Sequence, residues 1–360
     1  MSEIRQLKIT SVRNLQSAEI QASPTVNLLF GENGSGKTSF LEAIHLLASG
    51  RSFRSAKVDP LINHDAEAAV IYAELANGVQ LGISKSRRQA HQLHFQGQVQ
   101  RNWENVARQL PVQLLDSNSF LLLEGGPRSR RRFLDWGVFH VEPSFLENWR
   151  RSRKCLANRN HLLKQSRVDK QQIFAWDTEL DEASSQIDRS RSNYLESLLP
   201  RFVQVYADLG GARADTLSIH YSRGWDSERP LAEVLAATVA TDIRYGATQH
   251  GPHRAELDIR VGKNRAVDIL SRGQQKVLVS ALKLAQGDLL SRDLGQRCIY
   301  LVDDLPAELD QENRARVLDQ LIGQGGQLFV TCVDESALQG SLSNVLEKTL
   351  FHVERGTITT

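Results

Sequence analysis

Apolar and polar residues alternate from Ile4 to Thr10, give way to a short apolar run from Val26 to Phe30, and then recur at helical spacing at Phe40, Ile44 and Leu47. A period of two followed by one of 3.6 predicts strand, loop and helix at the start of the chain. Alternating runs at Ala69 to Leu75, Val79 to Ser84 and His91 to Phe95 predict an antiparallel sheet, with Asn77-Gly78 as a hairpin turn. The pattern then lengthens. Apolar residues at Phe145, Leu146, Trp149, Leu156 and Leu162/Leu163, and again at Ile173, Trp176, Leu180, Ile187, Tyr194 and Leu198, predict two long amphipathic helices over 143–163 and 172–209. The polar stretch Lys164 to Lys170 between them reads as the turn of an αα-hairpin. Strand-like segments return at Leu217 to Tyr221, Ala255 to Val261, Cys298 to Val302 and Gln327 to Val330. Helices are expected near Leu231 to Ala240, Gln274 to Leu290 and Asn313 to Ile322. The two ends of the chain thus share an α/β rhythm, and the middle reads as an insertion.

The loop between Phe30 and the first helix carries the first chemistry. Gly31, Glu32, Asn33, Gly34, Ser35, Gly36, Lys37 and Thr38 fit the pattern G-x-x-x-x-G-K-[ST], placed after a strand and at a helix start as that motif requires. Glycines let amides turn inward on phosphate oxygens, and the helix N-terminus adds positive potential. Lys37 would bridge the outer phosphates and the Thr38 hydroxyl would ligate Mg²⁺, which predicts ATP binding. Far downstream, Cys298-Ile-Tyr-Leu-Val302 leads into Asp303 and Asp304. A buried strand ending in two acids suits a metal-shell carboxylate beside one near an attacking water. A helix cap is the alternative. Leu270-Ser271-Arg272-Gly273-Gln274 opens a helix, either as a generic N-cap or as a set of backbone donors.

Composition sharpens the picture only when split by position. Lys+Arg number 44 against 42 Asp+Glu, a net charge of +2 that argues against a polyanion partner. Residues 128–170, however, hold twelve Lys and Arg against four acids, a net +8 that leaves −6 for the remainder. That clustering suits sequence-independent, salt-sensitive backbone contact with DNA, and it nominates Arg130, Arg131, Arg132, Arg150, Arg151, Arg153 and Lys154. A solvated helical face is the alternative. Cys155, Cys298 and Cys332 are far apart and form no CxxC pair, so neither a disulfide framework nor a zinc site is expected. No apolar stretch reaches membrane-spanning length and no leader pattern opens the chain, so a cytoplasmic location without membrane contact is expected.

Taken in order, the Gly31–Thr38 loop, the Ser271–Gln274 segment, Asp303-Asp304 and Glu308-Leu309-Asp310 resemble the ATP-binding-cassette head. In that head the LS-x-GQ signature of one subunit covers the γ-phosphate held by another. Lys37 and Ser271 lie 234 residues apart, far more than in a transporter subunit, and the helical insertion fills the gap as in the SMC-like branch. Val12-Arg-Asn-Leu15, Arg51-Ser-Phe-Arg54, Leu123-Glu-Gly-Gly-Pro127, Arg130-Arg-Arg-Phe-Leu-Asp135-Trp136 and Gly251-Pro-His-Arg254 narrow the resemblance to the RecF-type recombination family, over essentially the whole chain.

The resemblance implies an α/β P-loop ATPase of the ABC/SMC head type with an inserted helical lobe: residues 1–110 and 250–360 as a discontinuous head and 111–249 as lobe II. It implies ATP and Mg²⁺, with Lys37, Asp303 and Asp304 catalytic and Thr38 and Asp303 on the metal. Ser271, Arg272, Gly273 and Gln274 would form the signature acting in trans, with Asp310 in the D-loop. It further implies an ATP-dependent homodimer that binds single-stranded or gapped DNA and, with RecO- and RecR-type partners, loads recombinase in replication restart and the SOS response. Asp304 stands where most cassette ATPases place a longer glutamate, which predicts slow, switch-like hydrolysis. No histidine follows Gln327 to Val330; Thr331 is either a substitute donor or a strand-end residue. Gln113, Asp116 and Asn118 are alternatives for the glutamine loop, and Arg51 and Arg54 either reach a phosphate or pair with a helix end. The rivals to this reading are a transport ATPase subunit and a scaffold that holds ATP without hydrolysing it.

Overall fold

The computed structural model describes residues 2–165, 169–343 and 345–360. It divides into two compact units, one of residues 1–119, 204–211 and 276–360 and the other of residues 120–203 and 212–275. Both ends of the chain meet in the first unit. Residues 250–275, expected with the head, cluster with the second unit, because Glu256–Val261 pairs along its whole length with Leu217–Ser222. Residues 111–119, expected in the lobe, belong to the first unit, where Val112–Leu115 completes a sheet.

The first unit holds two sheets around one helix. Its central sheet runs Thr357–Thr359, Lys348–Glu354, Val26–Phe30, Gln327–Cys332, Ile299–Val302, Val112–Leu115, parallel except for the first pairing. Ile299–Val302 and Gln327–Cys332 are buried along their whole length, as strands covered on both faces require. The second sheet is antiparallel, in the order Leu15–Gln21, Ile4–Val12, Ala68–Leu75, Gln80–Ser86, Gln92–Phe95, Gln98–Gln100. The helix Lys37–Ser49 lies in a core built from both sheets, with Phe40, Leu41, Ile44 and Leu47 packed among Ile9, Ile71, Leu301, Phe329 and Phe351. Gln327 fixes the registry between sheets: its side chain accepts from the Ile4 amide and donates to the carbonyls of Ile4 and Ser23, each at 2.8 Å. The periodicity did not reveal Leu15–Gln21, Lys348–Glu354 or Thr357–Thr359; of these, Lys348–Glu354 pairs directly with the phosphate-loop strand.

The second unit combines helices Pro127–Val141, Phe145–Leu163 and Leu231–Tyr245, most of Lys170–Asp208, and a three-stranded sheet of Asn264–Arg265, Glu256–Val261 and Leu217–Ser222. The two long helices occur as expected. Residues 166–168 at the centre of the expected turn, with Arg167 of the basic tally, lie outside the described residues. Arg159 is fully buried, bound to Asp177 at 2.5 Å, Asp242 at 2.7 Å and the Thr248 hydroxyl at 2.9 Å. Burial raises the Asp177 pKa, against the pull of Arg159. Removing either sign would leave a charge stranded in the core.

All three cysteines are free and buried. No described helix is long and apolar enough to cross a membrane.

His253 gives this unit a pH dependence. Its Nε2–H donates to the Thr248 carbonyl at 3.0 Å, and burial pulls its pKa down to about 4, with Arg254 and Arg131 adding repulsion. The unfolded chain therefore binds the proton that the folded chain refuses between roughly pH 6.5 and pH 4. Stability is present above that window and declines as pH falls through it, on the order of 1 kcal/mol per pH unit. Urea titrations at pH 7.5 and pH 5 should show that loss in the wild type and a shallower one in His253→Gln.

Candidate functional site

The phosphate loop follows the strand Val26–Phe30 and ends in the helix Lys37–Ser49, as expected. Gly31 and Gly36 have φ of 147° and 127°, which side chains rarely adopt. A Cβ on Gly31 would stand 2.2 Å from the Val353 carbonyl oxygen, so the loop tolerates nothing larger there. No acid occupies the helix's first turn, which leaves its positive end uncompensated and directed at the loop. The Lys37 ammonium donates to the carbonyls of Gly31 at 2.7 Å and Glu32 at 2.9 Å. Burial lowers its pKa, while Asp304 and Asp303 pull the other way.

Opposite the loop, Ile299–Val302 delivers Asp303. Its carboxylate accepts from the Thr38 hydroxyl, 3.0 Å from each oxygen, and from Thr331 Oγ1 at 2.9 Å. Thr331 Oγ1 in turn accepts from the Asp304 amide at 2.8 Å. Thr331 is fully buried, and its one proton goes to Asp303. Thr331 therefore acts as a strut between the two acids, and it also lines the cleft. Asp304 adopts the left-handed conformation, φ 49° and ψ 49°, at the start of the short helix Leu305–Glu308. Burial raises the Asp303 pKa; the Thr331 and Thr38 hydroxyls oppose that rise. A hydroxyl and a carboxylate with no softer donor between them fit Mg²⁺, which takes one or two carboxylates and completes its shell with phosphate and water. Among the described residues no cluster of three or more His, Cys, Asp or Glu could hold a metal without such a ligand.

These groups line a cleft of about 880 Å³ that also includes Asn33, Arg54, Asn63 and Arg87. Two side chains that the sequence presented only as parts of a motif brace it. Asn14 Nδ2 donates to the Gly34 carbonyl at 2.8 Å, and the Ser39 hydroxyl donates to Asn14 Oδ1 at 2.9 Å. Arg13, at φ 54°, makes two parallel bonds of 2.9 and 2.8 Å to the fully buried Glu42, which also accepts from the Ser52 hydroxyl and faces Arg54 at 3.6 Å. Arg54 thus lines the cleft, whereas Arg51 does not. No pattern in the sequence pairs Arg13 with Glu42. Of the glutamine-loop alternatives, Gln113 bonds Gln286 in the interior at 3.1 Å. Asp116 and Asn118 close a turn with Ser119, whose hydroxyl accepts from Lys283 at 2.8 Å. None of the three lines the cleft.

The chain's sequence matches the RecF/RecN/SMC N-terminal domain family over residues 3–359. The chain belongs to that family. It is 46% identical over 360 residues, 99% of its length and 98% of the relative's, to the DNA replication and repair protein RecF of Pseudomonas entomophila. Identity to the RecF of Pseudomonas aeruginosa strain LESB58 is 45% over 359 residues, 99% and 97% of the two chains. The fold is that of the recombination mediator protein RecF-ATP of the RecFOR pathway, with TM-score 0.87, 24% identity and coverage of 99% and 97%. It is also similar to an Smc head bound to the C-winged helix domain of ScpA, with TM-score 0.59, 14% identity and coverage of 99% and 96%. The α/β head of the RecF/SMC type is therefore the fold of this chain.

The remaining sequence-predicted residues fare unevenly. Ser271 and Gln274 form a reciprocal cap at the start of the helix Arg272–Leu294: the Ser271 amide donates to Gln274 Oε1 at 3.0 Å and the Gln274 amide to Ser271 Oγ at 3.4 Å. Ser271 and Arg272 are exposed, and Arg272 pairs with Glu124. Gly273 lies in the first turn with open space above its Cα. Asp310 caps the helix Gln311–Gly323, accepting from the Asn313 amide at 2.9 Å, and those bonds lower its pKa.

The basic segment requires correction. Arg130 is buried, forks onto Glu256 at 2.7 and 2.8 Å and donates to the Gly125 carbonyl, so it is a structural cation. Arg151 is shared by Glu179 and Glu182, which hold its pKa high. The neutralising acids lie outside the segment whose charge was counted, so the local excess of positive charge is smaller than the sequence count suggests. Arg132, Arg150, Arg153 and Lys154 are exposed, and Arg153 stacks on Trp149 at 4.9 Å.

Asp303→Asn removes a charge that burial opposes while keeping an oxygen for the two hydroxyls. Thermal unfolding of the nucleotide-free variant should occur at or a few degrees above the wild-type temperature. Stabilisation by ATP with Mg²⁺ should vanish, and EDTA should abolish the same increment in the wild type.

Proposed function

We propose that this chain is an ATP-dependent DNA-binding clamp of recombinational repair. The observation that carries the reading is the joining of Lys37, Thr38, Asp303 and Asp304 around one cleft at the positive end of a helix. Names of the relatives supply the biological setting: DNA replication and repair for the Pseudomonas proteins, and an ATP-bound recombination mediator of the RecFOR pathway for the structural neighbour.

On this reading Gly31–Lys37 hold the phosphates of ATP and Thr38 and Asp303 hold Mg²⁺, which supplies charge neutralisation at the outer phosphates when bound. Lys37 leaves its two carbonyls for phosphate oxygens, a stronger set of acceptors. Asp304, short and turned by its left-handed backbone, positions water for slow attack. The Ser271–Gln274 segment of one copy, with Ser271 and Arg272 exposed, covers the γ-phosphate held by another, so ATP assembles a dimer and hydrolysis releases it. DNA at single-strand gaps and RecO- and RecR-type proteins are the partners, recombinase loading is the outcome, and replication restart and SOS induction depend on it. A reading as a scaffold that binds without hydrolysing draws on the same Asp304.

Light scattering with and without ATP tests the clamp. Wild type should double in mass with ATP, whereas Lys37→Arg and Ser271→Arg should stay monomeric; a normally dimerising Ser271→Arg removes the trans arrangement. Turnover, followed by phosphate release, should lie well below the roughly 10 per second of a typical enzyme, and it should disappear in Asp303→Asn. Equal release by wild type and that variant would leave the scaffold reading.

A further inference from the structure

Carboxylates neutralise Arg130 and Arg151, and another set of guanidiniums gathers around the Gly251-Pro252-His253-Arg254 turn. Arg191, from the helix Lys170–Asp208, donates to the Pro252 carbonyl at 2.9 Å. Arg131, from the helix Pro127–Val141, donates to the Ala255 carbonyl at 2.6 Å. Two helices thus bring arginines to the turn that itself carries Arg254. Their neutralisation is unequal. Arg191 binds both oxygens of Asp135, at 2.8 and 3.1 Å, and Glu256 beside the turn is taken by Arg130. Among the described residues neither Arg131 nor Arg254 has a carboxylate partner: Arg131 bonds only the Ala255 carbonyl, and Arg254 reaches the Gln249 side-chain oxygen at 3.1 Å.

That arrangement is unfavourable for the protein alone. Burial, then the like charges of Arg191 and Arg254, hold the Arg131 pKa below its ordinary value, although Glu256 and Asp135 pull it up. Most of the N–H donors of both guanidiniums are unclaimed, and a guanidinium fork matches the oxygens of a phosphate. Arg254 is exposed, so the pair is open to a continuous chain. A nucleotide would need an enclosing loop of inward-turned amides such as residues 31–38 provide.

We propose that Arg131 and Arg254 form a phosphate clamp for the DNA backbone, set by the Gly251–Arg254 turn. Arg191 acts as a positioning residue: it ties the turn to a neutralised, buried anchor and leaves the other two cations to the ligand. The clamp reads no bases, since both groups are occupied with phosphate oxygens. The inference rests on the reading of this chain as a DNA-binding protein.

Fluorescence anisotropy of a fluorescein-labelled gapped duplex, titrated with full-length protein across a salt series, tests it. Each contacted phosphate contributes about 0.9 to the slope of log affinity against log salt, so Arg131→Gln and Arg254→Gln should each reduce the slope by about 1 and the double variant by about 2. The loss should be equal for duplexes of unrelated sequence, and Arg254→Lys should retain most of the slope. A double variant with wild-type slope and affinity overturns the clamp. So does one that binds DNA normally but loses a fluorescent ATP analogue, which would give the cations to a nucleotide. Should Arg131→Gln fail to fold, Arg254→Gln decides alone, because that side chain is exposed. Wild-type protein that binds no DNA at all would bring down the functional reading itself, a result distinct from loss of the clamp alone.

Discussion

The helix Lys37–Ser49 is enclosed between two sheets, and the rest of the phosphate cleft depends on that enclosure. Ten of its thirteen residues are buried, including the carboxylate-bearing Glu42 and the first residue, Lys37. A helix packed on every side cannot tilt without opening gaps in a close-packed core, so its positive end stays aimed at the loop. Each neighbouring feature keeps it there. Gln327 binds the two sheets across more than three hundred residues of sequence, Arg13 neutralises Glu42 within the packing, and Asn14 and Ser39 tie the helix to the loop it begins. Glu42 illustrates the energetics: a buried carboxylate is tolerable only because both its oxygens are occupied by charged or hydroxyl donors.

The same logic sorts the charges of the second unit. Arg159 and Arg191 are buried and matched by two acids and one acid, and Arg130 and Arg151 each bind carboxylates from other elements. These pairs anchor helices to one another and have little left to offer a ligand. Arg131 and Arg254 are each held by one main-chain or amide acceptor and, among the described residues, have no carboxylate bonded to them. A cation that is positioned yet not neutralised differs physically from one that is merely solvated, because the protein has already met the entropic cost of fixing it.

Most elements of the first unit were legible because their signals are local. The run Val26–Phe30, the glycine-and-lysine loop and the apolar helix after it each carry a period or a motif within a few residues. The long helices over 145–163 and 170–208 were legible for the same reason, their apolar stripes being sustained over many turns. The helix Pro127–Val141 passed unread because five of its first six residues are Arg or Pro, which masks the buried Phe133, Leu134 and Val138. The strand Lys348–Glu354 hid its pattern because only Phe351 and Val353 are fully buried, although it lies directly beside the phosphate-loop strand.

The sequence by itself determined the identity of the phosphate loop and of the two acids at the end of Ile299–Val302, since strand, turn and helix start are coded within each segment. It also determined that positive charge concentrates in the middle of the chain. Tertiary structure alone decided which hydroxyls hold Asp303, that Thr331 braces both acids, and which arginines are paired with carboxylates. The reason is that hydrogen bonds and ion pairs join partners by distance in space: Thr38 meets Asp303 across 265 residues and Arg130 meets Glu256 across 126. A count of charges along the chain cannot contain those partners, and a folded core can.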